Sequence, residues 1–335
     1  MGLVGLSEIE EQILISMFMA KNYTHIDLDI LQSHQHQFFL TIASGVSEAL
    51  KLLIEKNLLV MVSSSPSVSY ALTPEGLDVA KKLTTPYMEQ WYSRMLKGCA
   101  ESEAHKKLCL KTCGIDFQQF SFLTARQFEW VVNLLRQEKA TRILDVGCGT
   151  GGFCAKLAEY PEFKWIHGID FAKDAIEYGK KRHAQLENVL LEAFPMEAFQ
   201  GRDPDGYDAI IFVDTIYFTE DPCAILEKYL EMLSDQGSLF IFFAQPEPYV
   251  QKFEKVLPAL NRPIYLKDFT EEFAFWWDEA AATLIALQDE FCAEGHEYFH
   301  RAYLAEAERN IANRRGPQVR KFYQIKKSVG KGGGS

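Results

Sequence analysis

The residues best suited to chemistry lie between Ile143 and Asp170. An apolar run that reads as a strand ends at Asp145 and passes into Val146-Gly147-Cys148-Gly149-Thr150-Gly151-Gly152, after which a helical pattern begins. A strand, a glycine turn and a helix start together let backbone N–H groups approach a ligand closely, which side chains at those positions would prevent. Gly147, Gly149 and Gly152 also satisfy G-x-G-x-x-G, so the glycines alone fit a dinucleotide as well as other nucleotide-type ligands. Asp145 discriminates. It stands where a dinucleotide would bring its pyrophosphate, and a carboxylate there repels phosphate but suits a ligand carrying an ammonium and a sulfonium, as S-adenosylmethionine does. Asp170 ends the next strand, WIHGID, 21 residues after Gly149, and is spaced to accept hydrogen bonds from both ribose hydroxyls.

With these residues in view, ILDVGCGTGGF followed by GIDFAKDAI resembles the first two motifs of the class I S-adenosylmethionine-dependent methyltransferases, and the resemblance continues through YDAIIFVDTIYF and GSLFIFF, over about residues 140 to 245. It implies that Asp145, Gly147, Gly149 and Gly151 face the methionyl part of the cofactor, that Asp170 binds ribose and that Phe171 packs on adenine. The third motif of that family offers an acid near the adenine amine. Here the matching stretch is LLEAFPMEAF, so Glu192, or the backbone around Ala193 and Phe194, takes that place.

Candidate residues for the reaction follow the fourth strand and lie in a late helical run. Asp214 in VDTIYF sits at the carboxyl end of a strand, the crevice position where open α/β sheets bind ligands, and is a candidate for both cofactor and acceptor. Tyr217 and Phe218 read equally as pocket wall or core, and Asp208 as a solvated loop acid. Methyl transfer is an in-line displacement that positioning in a dry site accelerates, so a general base is optional. Plant-type O-methyltransferases with a winged-helix partner carry a catalytic histidine shortly after the fourth strand; TIYFTEDPCAIL has none. The acceptor pocket is instead expected to draw on DEFCAEGHEYFHRAYLAEAERN, which contains Glu290, Glu294, His296, Glu297, Tyr298, His300 and Tyr303; His296 is the catalytic candidate. No metal site is expected. His34 with His36 and His296 with His300 lack the H-E-x-x-H context or cysteine partners a metal would need.

The elements that must position these groups form an α/β fold: a Rossmann-like seven-stranded methyltransferase sheet with an N-terminal winged-helix-like domain and a C-terminal helical insertion. Strands are expected at Arg142 to Val146, Trp165 to Ile169, Val189 to Glu192, Ala209 to Val213, Ser238 to Ala244, Ile264 to Lys267 and Lys321 to Lys326, with helices between the first five. Residues 139–329 make this domain, with added helices near 270–313. Residues 86–138 read as a helical linker whose segment Asp116 to Thr124, DFQQFSFLT, is a cofactor lid. In residues 1–85, a helix from Ser7, a second from about Thr41 to Asn57, the strand runs LLVMV and VSYALT around a Ser/Pro turn, and a helix from Thr73-Pro74 to Leu83 give the winged-helix order. Its expected role is dimerisation or a lid. The basic stretch Arg314 to Lys327 reads as a solvated strand and loop edge, and 330–335 as a flexible tail.

The bulk numbers bound the partners. A chain of 335 residues exceeds one usual core and suits two domains. Residues 1–85 hold nine acids against five lysines, and the whole chain carries a net charge of −11, which opposes neutralising many phosphates. The leading function is methyl transfer to N or O of a small-molecule acceptor by a homodimer. The alternatives are a winged-helix DNA-binding regulator that senses S-adenosylmethionine, with nucleic acid a disfavoured partner, and a protein methyltransferase. No window is long and apolar enough for a membrane span, no secretory leader is evident, and seven scattered cysteines read as reduced thiols, so a cytoplasmic protein is expected.

Overall fold

The computed structural model describes residues 5–19, 26–27, 45–63, 68–312 and 318–327. Expectations about His34 and His36, the helix start near Thr41, the turn at 64–67, the stretch 313–317 and the tail 330–335 fall outside them. The chain divides into two units. One comprises Met1–Trp91 with Arg301–Glu306, the other Tyr92–His300 with Ala307–Ser335.

In the first unit Ser7 opens the helix Glu8–Met19 through a reciprocal capping box: the Glu10 carboxylate accepts from the Ser7 N–H at 2.7 Å, and Ser7 Oγ accepts from the Glu10 N–H. After the short β1 (Ile26–Asp27) come the helix Val46–Glu55 and the hairpin of β2 (Leu59–Ser63) and β3 (Ser69–Leu72), with β1 pairing on the other side of β3. Thr73 caps the next helix by accepting from the Gly76 N–H at 2.9 Å, with Pro74 at its first position where the missing N–H costs nothing. Ile13, Leu14, Met17, Leu50, Leu53 and Leu59 bury together as the core. One boundary needs correction. The helix expected to end at Leu83 runs from Pro74 to Glu101, through Pro86, and belongs to the second unit from Tyr92 onward.

The second unit is built on a seven-stranded sheet. Its strands are β4 (Arg142–Val146), β5 (Trp165–Asp170), β6 (Val189–Ala193), β7 (Tyr207–Val213), β8 (Leu233–Pro246), β9 (Ile264–Asp268) and β10 (Gln318–Lys326). They lie in the order β6-β5-β4-β7-β8-β10-β9. The first five are parallel; β10 runs antiparallel to both β8 and β9. Their number is that expected, while β8 is longer at both ends than Ser238 to Ala244 and β10 begins earlier than Lys321.

Both faces of the sheet are covered, so its central strands read as continuous apolar runs. Leu144, Val146, Ile210, Phe212, Leu239 and Ile241 enter one core; Ile143, Ala209, Ile211, Phe240, Phe242 and Phe322 enter the other, in alternation along each strand. Against the second face lies the helix Ala125–Gln137, capped by Thr124 Oγ1, which accepts from the Gln127 N–H. Between β9 and β10 the chain forms the helices Thr270–Phe273, Trp276–Ala286, Gln288–Ala293 and Glu297–Ala312. The described part of the basic stretch, Gln318–Lys326, is an inner strand and not a solvated edge: Arg320 lies on the same face of β10 as Phe322 and is 0% exposed.

Candidate active site

The crossing from β4 into the helix Gly152–Ala158 places the glycine loop at the carboxyl edge of the sheet. Gly147, Gly149 and Gly151 all have left-handed backbones; at Gly147, with φ 85°, a Cβ would also stand 2.3 Å from the Thr215 side chain. Gly152 answers a different need, since a Cβ there would lie 1.4 Å from the carbonyl oxygen of Phe117. The segment Asp116 to Thr124 therefore rests directly on the loop. Thr150 Oγ1 donates to the Gln118 carbonyl at 2.9 Å and fixes it there.

Asp145 and Asp170, at the ends of adjacent strands, are both buried under the loop. Burial pushes the Asp145 carboxyl up to about 7; the Cys154 thiol, which donates to Oδ2 at 3.4 Å, opposes the shift, and the negative Asp170 adds to it. Asp170 accepts from the Gly149 N–H at 2.9 Å and the Ala172 N–H at 2.8 Å, so the same carboxylate shapes the loop. Burial raises its pKa against the lowering effect of the Ala172, Gly149 and Phe171 amides. The Phe171 ring meets Tyr92 edge-on at 5.5 Å, and Tyr92 meets Phe218 at 5.6 Å.

The residues expected near adenine separate. Glu192 is engaged elsewhere, with a paired contact to Arg202 at 2.8 and 3.0 Å and His167 Nε2 at 3.0 Å. Phe194 donates its N–H to the Asp170 carbonyl and packs its ring on Phe199 and beneath Arg202. Ala193 pairs with Asp170 across β5 and β6.

Asp214 follows β7 with φ 58°, a left-handed backbone uncommon for a residue with a side chain. Its carboxylate accepts from Nη1 of Arg320, a residue absent from every sequence-based expectation of function. A signal was present: Arg320 shares its side of an alternating strand with Phe322. Tyr217 lies in a 3-10 turn with its ring edge-on to Phe243 at 5.4 Å.

The described contacts of the helical insertion tie several of its polar residues to neighbouring helices. Glu290 pairs with Lys107, while Glu294 accepts from Ser102 Oγ and the Ala104 N–H at the start of the helix Glu103–Thr112. Tyr298 lies under the Arg94 guanidinium at 3.7 Å. His300 is buried, with Nε2 bonded to the Leu284 carbonyl at 2.8 Å. His296 faces Gly98, and no described contact joins it to Asp214 or Tyr217. Asp208 is a clip, not a solvated acid. It accepts from Thr141 and Arg142 at the foot of β4, and against the effect of burial these donors bring its pKa down to about 2.

Two further features lay beyond sequence reasoning. Gln119 Oε1 is buried without a hydrogen-bond partner and lies 3.3 Å from where a Cβ on Gly149 would stand. His105, Cys109 and Asp116 gather within 4.8 Å, but Cys109 Sγ is 3.7 and 3.5 Å from the two ring nitrogens, beside the imidazole and off either lone-pair direction.

Residues 137–275 match a family model described as a methyltransferase domain. The chain carries a class I S-adenosylmethionine-dependent methyltransferase domain. The cofactor of that class is S-adenosylmethionine. The chain is 27% identical over 113 residues to a ubiquinone biosynthesis O-methyltransferase of Neisseria meningitidis, covering 33% of this chain and 47% of that one, so it spans about half the length of the curated relative. The chain also shares its fold with a phosphoethanolamine N-methyltransferase of Haemonchus contortus (13% identity, TM-score 0.54, 86% and 75% of the two chains). The cyclopropane synthase MmaA2 of Mycobacterium tuberculosis is similar at 12% identity and TM-score 0.50, over 70% and 98%. These three names concern oxygen, nitrogen and carbon chemistry, so likeness leaves the accepting atom open.

The residues of the methyltransferase domain fit the cofactor. A loop of left-handed glycines, two buried carboxylates and the partnerless Gln119 amide oxygen offer acceptors for an ammonium and for ribose hydroxyls.

Proposed function

We propose that the protein transfers the methyl group of S-adenosylmethionine to an oxygen or nitrogen of a small-molecule acceptor. The observation that carries this reading is the pair Asp145 and Asp170 buried at the ends of adjacent strands beneath the glycine loop. In it, Asp145 attracts the ammonium, Gly147, Gly149 and Gly151 admit the methionyl group, and Asp170 accepts from ribose. Phe171 packs on adenine, with Ala193 and Phe194 at its rim. Gln119 closes over the methionyl end from the Asp116 to Thr124 segment. When bound, the cofactor supplies a methyl group on a positively charged sulfur. The chain's own part is to hold the acceptor in line with that group and to exclude water, which accounts for much of the acceleration of a bimolecular displacement.

Asp214 is the acceptor-side residue. Tyr217 contributes a wall beside it, and His296 faces Gly98. A small molecule is favoured over nucleic acid by the net charge of −11 and is in keeping with the printed name of the Neisseria relative. Incubation with methyl-labelled S-adenosylmethionine and a cell extract tests the reading. Label should enter the protein-free, nucleic-acid-free fraction and fall to background with Asp170→Ala. Label confined to protein or nucleic acid would refute it.

A further inference from the structure

The buried pair of Asp214 and Arg320 is incompletely satisfied. Arg320 donates from Nη1 to Asp214 Oδ1 and from Nε to Gln127 Oε1 at 3.4 Å, with its guanidinium 5.1 Å from the centre of the Phe242 ring. Arg320 Nη2 and Asp214 Oδ2 are sealed from solvent and have no hydrogen-bond partner. The backbone amides of Phe122 and Ala244 face the carboxylate, yet neither completes a bond to Oδ2. Cys113, whose thiol accepts from Trp276 Nε1, is the neighbouring group that feels both charges.

Such an arrangement is costly. A buried ion pair seldom improves on apolar residues of the same volume, and each orphaned polar atom adds its full desolvation penalty. The backbone at Asp214 is left-handed as well, and strain of that kind clusters at sites of function. Asp214 directly follows the carboxyl end of β7, the edge at which open α/β sheets take ligands.

A hydroxyl suits both orphans. A hydroxyl donates one proton, to Oδ2, and accepts at one lone pair, from Nη2, while a second lone pair remains for attack. A neutral amine has a single lone pair, which either accepts from Arg320 or attacks carbon. A protonated amine meets the guanidinium charge, and a carboxylate has no proton for Oδ2. We propose that Asp214 and Arg320 bind the reacting hydroxyl of the acceptor, so that the acceptor belongs to the class of acidic hydroxyl compounds, phenols above all.

This rests on the methyltransferase reading and narrows it to oxygen. The acceptor's O–H bond breaks and its proton passes to Asp214 Oδ2, while Arg320 Nη2 stabilises the charge growing on oxygen. That oxygen gives an electron pair to the methyl carbon; the carbon–sulfur bond breaks with its pair left on sulfur, yielding an ether and the neutral thioether S-adenosylhomocysteine. Asp214 then releases its proton to water. Burial holds the Asp214 carboxyl above the ordinary range, with Arg320 opposing, which strengthens it as a base.

The test uses the full chain with S-adenosylhomocysteine bound, and catechol and 1,2-diaminobenzene as probes in calorimetry. Catechol should bind at least about tenfold more tightly than the diamine. Asp214→Asn and Arg320→Gln, alone and combined, should each weaken catechol about tenfold or more while the affinity for S-adenosylhomocysteine stays within about twofold. Equal binding of the two probes, no catechol binding to a complex that holds S-adenosylhomocysteine, or catechol binding untouched by either substitution would overturn the assignment. The probe comparison needs no variant, so it decides even where a substitution unfolds the chain. Failure of S-adenosylhomocysteine itself to bind would instead refute the methyltransferase reading.

Discussion

Asp145 was legible as a functional acid because a carboxylate at the mouth of a glycine loop is chemically selective. Its energetic state was not, since that comes from burial and from Asp170 and Cys154, which only the fold brings beside it. The carboxyl moves from 3.8 in the unfolded chain to about 7 in the folded one. Between those values the folded state binds more protons, so this group's contribution to stability is full at low pH and is lost as pH rises through about 7. Denaturant unfolding of the ligand-free protein from about pH 5 to about pH 8 should show that decline, and Asp145→Asn should flatten it. Parallel pH profiles for the two proteins would contradict the assigned shift. Arg320 went unread for the opposite reason: a basic residue in a basic run reads as solvated unless the strand's alternation with Phe322 and Gln324 is given priority.

At the level of elements, caps and alternation were legible and extents were not. Ser7 and Thr73 each precede a helix and each accepts the hydrogen bond its position implies. The apolar runs of β4, β5 and β7 announce strands buried on both faces. By contrast, the helix expected to end at Leu83 continues through Pro86 to Glu101, because packing overrides the loss of one backbone hydrogen bond. The contact of the Asp116 to Thr124 segment with the loop was foreseen only as a lid; that it sits within reach of a single Cβ at Gly152 belongs to the tertiary structure. Gly152→Ala should therefore push the segment off the loop and weaken S-adenosylhomocysteine about tenfold or more, whereas Gly98→Ala, with 3.7 Å to its nearest neighbour, should leave affinity unchanged. Equal affinities for the two variants would show that the segment plays no part in cofactor binding.

For the whole molecule, the doubly wound sheet was predictable because alternating strands and helices with right-handed crossovers admit few topologies. The acceptor was not, because its groups come from residues far apart in sequence: Asp214 and Arg320 are separated by 106 positions and meet only through β7, β8 and β10. The family match spans residues 137–275 and leaves both the amino-terminal unit and most of the helical insertion to be understood from their own chemistry. The central claim remains the identity of the ligand under the glycine loop, and calorimetry on the intact protein addresses it directly. S-adenosylhomocysteine and S-adenosylmethionine should bind saturably, NAD should not, and Asp170→Ala should abolish or strongly weaken the first two. Preference for NAD, or no heat from either sulfur compound, would contradict it.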